Sequence, residues 1–161
     1  MLIPDITAKR AELAPDKTAL RDIASGATLT YRKLDDNVCR VAGLLRARGV
    51  GEGDRVAILC RNRIEFFEVL FACAKIGAVL VPLNWRMPAN ELLPLLREAS
   101  PTVLFYGEED GGVAAELEMD RMSAIGLDVT AADGYTTLRD NSTGERGRPL
   151  WPADDTWYFL Y

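Results

Sequence analysis

The stretch GVGEGD, Gly49 to Asp54, has the glycine content of a phosphate-cradling loop. Such a loop must follow a strand and open a helix, so that the helix N-terminus meets the phosphates. Here a helical pattern precedes the glycines and a strand pattern follows them, so the segment reads as a turn. Asp154 and Asp155 are candidates for paired carboxylates in acid–base or metal chemistry. Adjacent residues of an extended segment point to opposite faces, so the two cannot aim at one reacting atom. They read as a solvated lead-in to a strand. Cys39, Cys60 and Cys73 form no C-x-x-C pair. Arg61 adjoins Cys60, but no cysteine sits among basic residues that would clearly depress its thiol, so all read as structural. Their odd number suits a reducing compartment. Arg86 is the remaining candidate. It follows an apolar strand pattern at the carboxyl end, where ligands of open parallel sheets bind. It could meet an anionic ligand there, or pair as a surface arginine with a carboxylate such as Glu91. With no histidine, a Ser-His-Asp triad, a Cys-His dyad and any histidine metal site within this chain are excluded.

The elements that must position these residues are set by a chain of 161 residues, one domain or a domain plus a lobe. Apolar residues make up 48% and charged residues 27%, which excludes a disordered chain. Lys plus Arg is 19 against 24 Asp plus Glu, a net charge of −5, so no nucleic-acid partner is expected. The longest uncharged run, Ile76 to Trp85, falls far short of the roughly 20 residues of a membrane helix, so no transmembrane segment is expected. MLIPDITAKR carries no secretory signal pattern, and a cytoplasmic location is the expectation.

Ile6 to Leu13 reads as a short helix ending before Pro15. Thr18–Arg21 and Ala27–Leu29 read as a hairpin around Ser25-Gly26. Thr30 is placed to cap a helix whose apolar face is Leu34, Val38, Val41 and Leu45, with Gly49 as its stop. Arg32, Asp36, Arg40 and Arg46 form its solvated face. Arg55–Cys60 reads as a strand covered on both faces. A helix over Glu65–Lys75, stopped by Gly77, and a strand over Ala78–Pro82 complete a right-handed βαβ unit with parallel strands. A helix from Glu91 to Ala99 follows. Pro94 is tolerable only in its first turn, so it should start no earlier than about Ala89. Thr102–Tyr106 extends the sheet. Glu108–Met122 is acidic and weakly helical, Gly126–Val129 reads as a short strand, and Thr136–Pro149 as loop. Trp157–Tyr161 has a strand pattern. The fold class is therefore α/β: a parallel-sheet βαβ lobe with flanking helices and an N-terminal hairpin. The chain stops inside an aromatic strand pattern, so a truncated sequence and a bare apolar edge are expected, with a homo-oligomer as one outcome.

Several segments together resemble the adenylate-forming superfamily of acyl- and aryl-CoA synthetases, luciferases and peptide-synthetase adenylation domains. They are PDKTAL (Pro15–Leu20), LTYRKLD (Leu29–Asp35), GVGEGDRVAIL (Gly49–Leu59) and AKIGAVLVPLNWRM (Ala74–Met87). The last is similar to the family's K-x-G-A-hydrophobic-x-V-P-L-N-x-R segment. DDTWYFLY (Asp154–Tyr161) resembles the lead-in to the family's Ser/Thr/Gly-rich phosphate loop. Lys33 departs from the family, which has Glu there to complete a capping box with Thr30.

The resemblance implies that residues 1–161 are a partial N-terminal, AMP-binding domain, without the phosphate loop, the ribose-binding aspartate and the C-terminal lid domain with its catalytic lysine. It implies a ligase of fatty acid metabolism or a related pathway. ATP and Mg²⁺ activate a small-molecule carboxylic acid as its adenylate, and coenzyme A then takes the acyl group. It implies no catalytic or metal residue within this chain, which alone would be inactive. Arg86 is implied as a contact for the phosphorylated end of coenzyme A. Two alternatives stay open: a parent that passes the acyl group to a carrier-protein thiol or to oxygen, and a stand-alone α/β interaction module.

Overall fold

The computed structural model describes residues 1–117 and 119–161. In chain order the elements are β1 (Leu2–Pro4), α1 (Ile6–Leu13), β2 (Thr18–Arg21), β3 (Thr28–Thr30), α2 (Tyr31–Ala47), β4 (Arg55–Leu59) and α3 (Ile64–Ile76). They continue with β5 (Val79–Leu83), α4 (Ala89–Ala99), β6 (Val103–Tyr106), a 3-10 turn (Glu108–Asp110), α5 (Gly111–Glu116), β7 (Ser123–Gly126), α6 (Tyr135–Asn141) and β8 (Leu150–Pro152).

Four strands form one sheet in the order β5-β4-β6-β7, and every pairing in it is parallel. Strand alternation divides its side chains between two cores. Val56, Ile58, Val103 and Phe105 face the helices α2 and α3, where they bury Val38, Val41, Leu45, Val69 and Cys73. Ala57, Leu59, Val81 and Leu104 face α4, burying Leu92 and Leu96. Burial on both faces is why these strands read as continuous apolar runs. The hairpin of β2 and β3 is antiparallel, with a register shift between Thr18 and Leu20.

The best-punctuated helix behaves as its sequence dictates. Thr30 Oγ1 accepts from the Lys33 N–H at 3.2 Å, and Leu34, Val38, Val41 and Leu45 are all buried. The chain leaves α2 through Gly49 at φ +81°, a left-handed conformation that only glycine adopts without strain. α3 likewise ends at Gly77, φ +75°.

Several expectations are corrected. The second hairpin strand lies at Thr28–Thr30 and β5 at Val79–Leu83, each displaced by one residue. α4 begins at Ala89, and Pro94 sits beyond its first turn. The proline is exposed, so the Asn90 carbonyl it leaves without an intrahelical donor can turn to water. The weak helical pattern after β6 resolves into the 3-10 turn and the short α5. The strand expected at Gly126–Val129 is β7, Ser123–Gly126, where it pairs in register with β6 from Val103↔Ser123 to Tyr106↔Gly126. Residues 136–149 are not all loop: α6 covers Tyr135–Asn141. The remainder is tied down by Glu145 N–H to Cys39 O at 2.8 Å and Arg148 N–H to Lys75 O at 3.0 Å. Trp157–Tyr161 is not a regular strand. It makes a single parallel bridge, Leu80↔Tyr158, through Leu80 N–H to Trp157 O and Phe159 N–H to Leu80 O, both 2.9 Å. The pairing of β1 with β8, from Leu2↔Pro152 to Pro4↔Leu150, joins two short segments that carry no periodicity.

Candidate functional site

Because the four strands are parallel, their carboxyl ends open on one rim of the sheet. β4 delivers Arg61 and Arg63 to it, β5 delivers Asn84, Trp85 and Arg86, β6 delivers Glu108 and Glu109, and β7 delivers Asp128. Arg86 stands where the sheet topology predicts. Its loop is set by an Asx turn, the Arg86 N–H donating to Asn84 Oδ1 at 3.1 Å. Its side chain is exposed, with the guanidinium carbon 4.1 Å from the centroid of the Trp85 ring. Among the described residues no carboxylate lies within 4.0 Å of it, Glu91 included.

The neighbouring charges on the rim are spoken for. Arg63 donates to both oxygens of Asp128 at 2.8 Å, and to Glu65 at 2.8 Å. Asp128 also accepts from the Glu108 N–H at 2.9 Å. These contacts hold the Asp128 carboxyl below the usual carboxylate range, Arg63 first among them, and push the Arg63 guanidinium further up. Arg63 thus meets two carboxylates, and its pair with Asp128 is a fork-to-fork one. Arg61 has a looser partner, Glu109, with its Nε 3.8 Å from the carboxylate.

The other candidates lie in ordinary structural settings. Gly53 has φ +77° and Gly51 N–H donates to Asp54 Oδ2 at 2.7 Å, so Gly49–Asp54 is a turn. Asp155 accepts from Arg148 at 3.0 Å and Asp154 is exposed, so the two make no joint site. The cysteines are free thiols. Burial raises all three, Cys60 to about 12, so none is a ready nucleophile. Among the described residues no group of three His, Cys, Asp or Glu side chains could hold a metal ion.

Two buried polar clusters escaped the sequence reading. Lys75, 1% exposed at its side chain, bonds Asp5 and sits 2.9 Å from Asp35. Thr7 Oγ1 lies 2.7 Å from Asp35 and 3.0 Å from Asp5. Glu68 accepts from Asn37 at 2.6 Å, from the Tyr135 hydroxyl at 2.5 Å and from Arg139 at 3.2 Å. A lysine in the otherwise apolar helix of Lys75, and a glutamate in that same helix, were the available signals. Neither cluster touches the rim. Both tie α3 to its surroundings. The concavity of about 480 Å³ between α2 and residues 142–146, lined by Lys33, Asp36, Cys39, Arg40 and Arg146, also lies away from it.

A sequence profile described as AMP-binding enzyme matches residues 7–161. The chain belongs to the AMP-binding enzyme family. Among relatives of this chain is a feruloyl-CoA synthase of Amycolatopsis sp, 40% identical over 126 residues, covering 78% of this chain and 25% of the relative. Another is a fatty acid–[acyl-carrier-protein] ligase, ScoC, of Streptomyces coeruleorubidus, 41% identical over 95 residues, covering 59% of this chain and 18% of the relative. The fold is similar to the N-terminal domain of FACL13 from Mycobacterium tuberculosis, with TM-score 0.84 and 28% identity over 96% of this chain and 40% of that one. The chain thus spans about a quarter of the length of the feruloyl-CoA synthase it matches. No helix among the described residues is long and apolar enough to cross a membrane.

Proposed function

We propose that these residues are the N-terminal part of an ATP-dependent acyl- or aryl-CoA synthetase. In the first half-reaction a carboxylate oxygen attacks the α-phosphorus of ATP, forming the acyl-adenylate and releasing pyrophosphate. In the second a thiolate attacks the acyl carbon, forming the thioester and releasing AMP. The likeness to the feruloyl-CoA synthase carries this reading.

The fit of the groups differs. For ATP and Mg²⁺ the described residues offer no donor set that fits: the glycine-rich turn precedes β4, away from the rim, and no group of three His, Cys, Asp or Glu side chains among them could hold a metal ion. No catalytic residue is assigned to this stretch. Coenzyme A fits better. Arg86 is an exposed cation without a carboxylate partner among the described residues, at the end of the sheet where ligands of parallel folds bind. Its part is to bind the phosphorylated end of the thiol substrate and so orient it; it moves no proton. The two cores below hold the rim rigid.

The experiment is ATP–pyrophosphate exchange with a panel of aromatic and fatty acids, run on the complete protein that contains these residues. Exchange that depends on the acid, followed by consumption of coenzyme A and release of AMP, is expected. The 161-residue polypeptide alone should show no exchange. Absence of exchange by the complete protein with every acid would refute the ligase reading. The likeness to ScoC supports a second reading, transfer to a carrier-protein thiol. Under it, exchange persists but coenzyme A is not consumed.

A further inference from the structure

The register of β4 and β5 sets Leu59 opposite Leu83. Two residues on from each, beyond the strand ends, Arg61 and Trp85 come together. The Arg61 guanidinium carbon lies 4.4 Å from the Trp85 ring centroid and that of Arg86 lies 4.1 Å from it. The two guanidinium carbons are therefore separated by at most the sum of those distances, 8.5 Å. Two like charges this close repel, and a cation–π contact at an exposed site is weak. The counter-charge is unevenly shared: Asp110 and Glu109 both act on Arg61. Glu109, 56% exposed, is 3.8 Å from Arg61, and Arg86 has no carboxylate within reach among the described residues. Two planar forks share one aromatic platform, and Arg86 is left without a close counter-charge among the described residues. A phosphomonoester dianion has the charge and the multiple acceptor oxygens to engage both.

We propose that Arg61 joins Arg86 in gripping the terminal phosphomonoester on the nucleotide end of coenzyme A. Trp85 is the positioning residue that holds the two guanidiniums together. Glu109 acts against the incoming phosphate, and Arg61 exchanges that loose pair for a stronger one. This rests on the reading that the acceptor is coenzyme A and that Arg86 meets it.

The test compares coenzyme A with dephospho-coenzyme A, which lacks that phosphomonoester and is otherwise the same thiol, as substrates of the complete enzyme. In Arg61→Ala and Arg61→Gln the kcat/KM preference for coenzyme A over the dephospho form should fall about tenfold, the scale of one lost charge-assisted contact. Arg61→Lys, which keeps the charge but not the fork, should recover part of it. A merely structural role would lower kcat/KM for both thiols alike and leave the preference unchanged. A fall of less than threefold in both neutral variants overturns the proposal, and so does a wild-type enzyme with no preference. Consumption of neither thiol would sink the coenzyme A reading itself, an outcome distinct from an unchanged preference in an enzyme that does consume them.

Discussion

The ammonium nitrogen of Lys75 on α3 lies 2.9 Å from a carboxylate oxygen of Asp35 on α2, with side-chain exposures of 1% and 11%. The same nitrogen bonds Asp5, whose Oδ1 accepts the Ala8 N–H at 3.1 Å and so caps α1. One buried cation thereby joins α1, α2 and α3. The backbone of Lys75 extends the junction. Its carbonyl accepts from Arg148 N–H, and a Cβ on Gly147 (φ +65°) would come within 2.2 Å of that oxygen. Glycine at 147 is therefore required both by close approach and by its left-handed backbone.

Removing the cation should cost more than the pair itself contributes, because two carboxylates are left buried without a countercharge. Lys75→Met is expected to destabilise the fold by about 3–5 kcal/mol, read from urea unfolding. Burial alone would lower the Lys75 pKa, but the hydrogen bonds to Asp5 and Asp35 outweigh it and leave it raised above 10.5. For a raised lysine the stabilisation is fully present below the unfolded value and is lost only as pH rises through the folded one. The stability gap between wild type and variant should therefore stay constant from neutral pH to the unfolded value of 10.5. A gap that closes within that range would show that the ammonium is not held as described.

Asp110 presents the opposite case, a carboxylate whose burial is not repaid. It is 5% exposed, and its Oδ2 has no hydrogen-bond partner among the described residues. Burial raises its pKa above 3.8, and Glu109 adds to the rise against the opposing charge of Arg61. The unfolded chain releases this proton first, so stability falls as pH rises from 3.8 through the folded value. Asp110→Asn should raise stability at neutral pH by about 1 kcal/mol, and the gain should shrink as pH is lowered towards 3.8. Urea unfolding of both proteins at several pH values measures it. A loss of stability at neutral pH would contradict it.

Along the outer edge of β5 the side chains of Tyr158, Phe159, Leu160 and Tyr161 are 47%, 41%, 73% and 53% exposed. Contiguous exposed apolar side chains on a sheet edge favour association. The 161-residue polypeptide is expected to self-associate in sedimentation velocity, and Phe159→Lys with Tyr161→Lys to raise the monomer fraction. The Phe159 N–H bond to Leu80 is a backbone contact and survives the change. A monomeric parent polypeptide at high concentration would remove the basis for this.

The rim was partly legible in the sequence. Arg86 could be placed because alternating apolar strands and helices imply a parallel sheet, and parallel sheets bind ligands at their carboxyl ends. The approach of Arg61 to the same indole could not. It depends on the register of β4 against β5, and no local pattern encodes which residue of one strand faces which of another. Cys39, Cys60 and Cys73 all read as structural thiols, buried by default; Cys73 is buried, while Cys39 and Cys60 are only partly so.

What the sequence by itself determined are the elements whose signals repeat within a few residues: the capped face of α2, the doubly covered runs of β4, β5 and β6, and the glycine stops at Gly49 and Gly77. Hydrophobic periodicity and turn chemistry act over one or two turns of chain, so they can be read without knowing the partners. Tertiary structure alone decided the rest. β1 and β8 have three residues each, too few to show a period, and exist because they pair across nearly the whole chain. α6 is held by Tyr135 reaching Glu68, a contact separated by 67 residues. Lys75, Asp35, Asp5 and Glu68 read as surface residues in any hydropathy pattern. They are buried because each charge finds its counterpart only when α1, α2, α3 and α6 come together, and an ion's burial depends on that partner rather than on its neighbours in sequence.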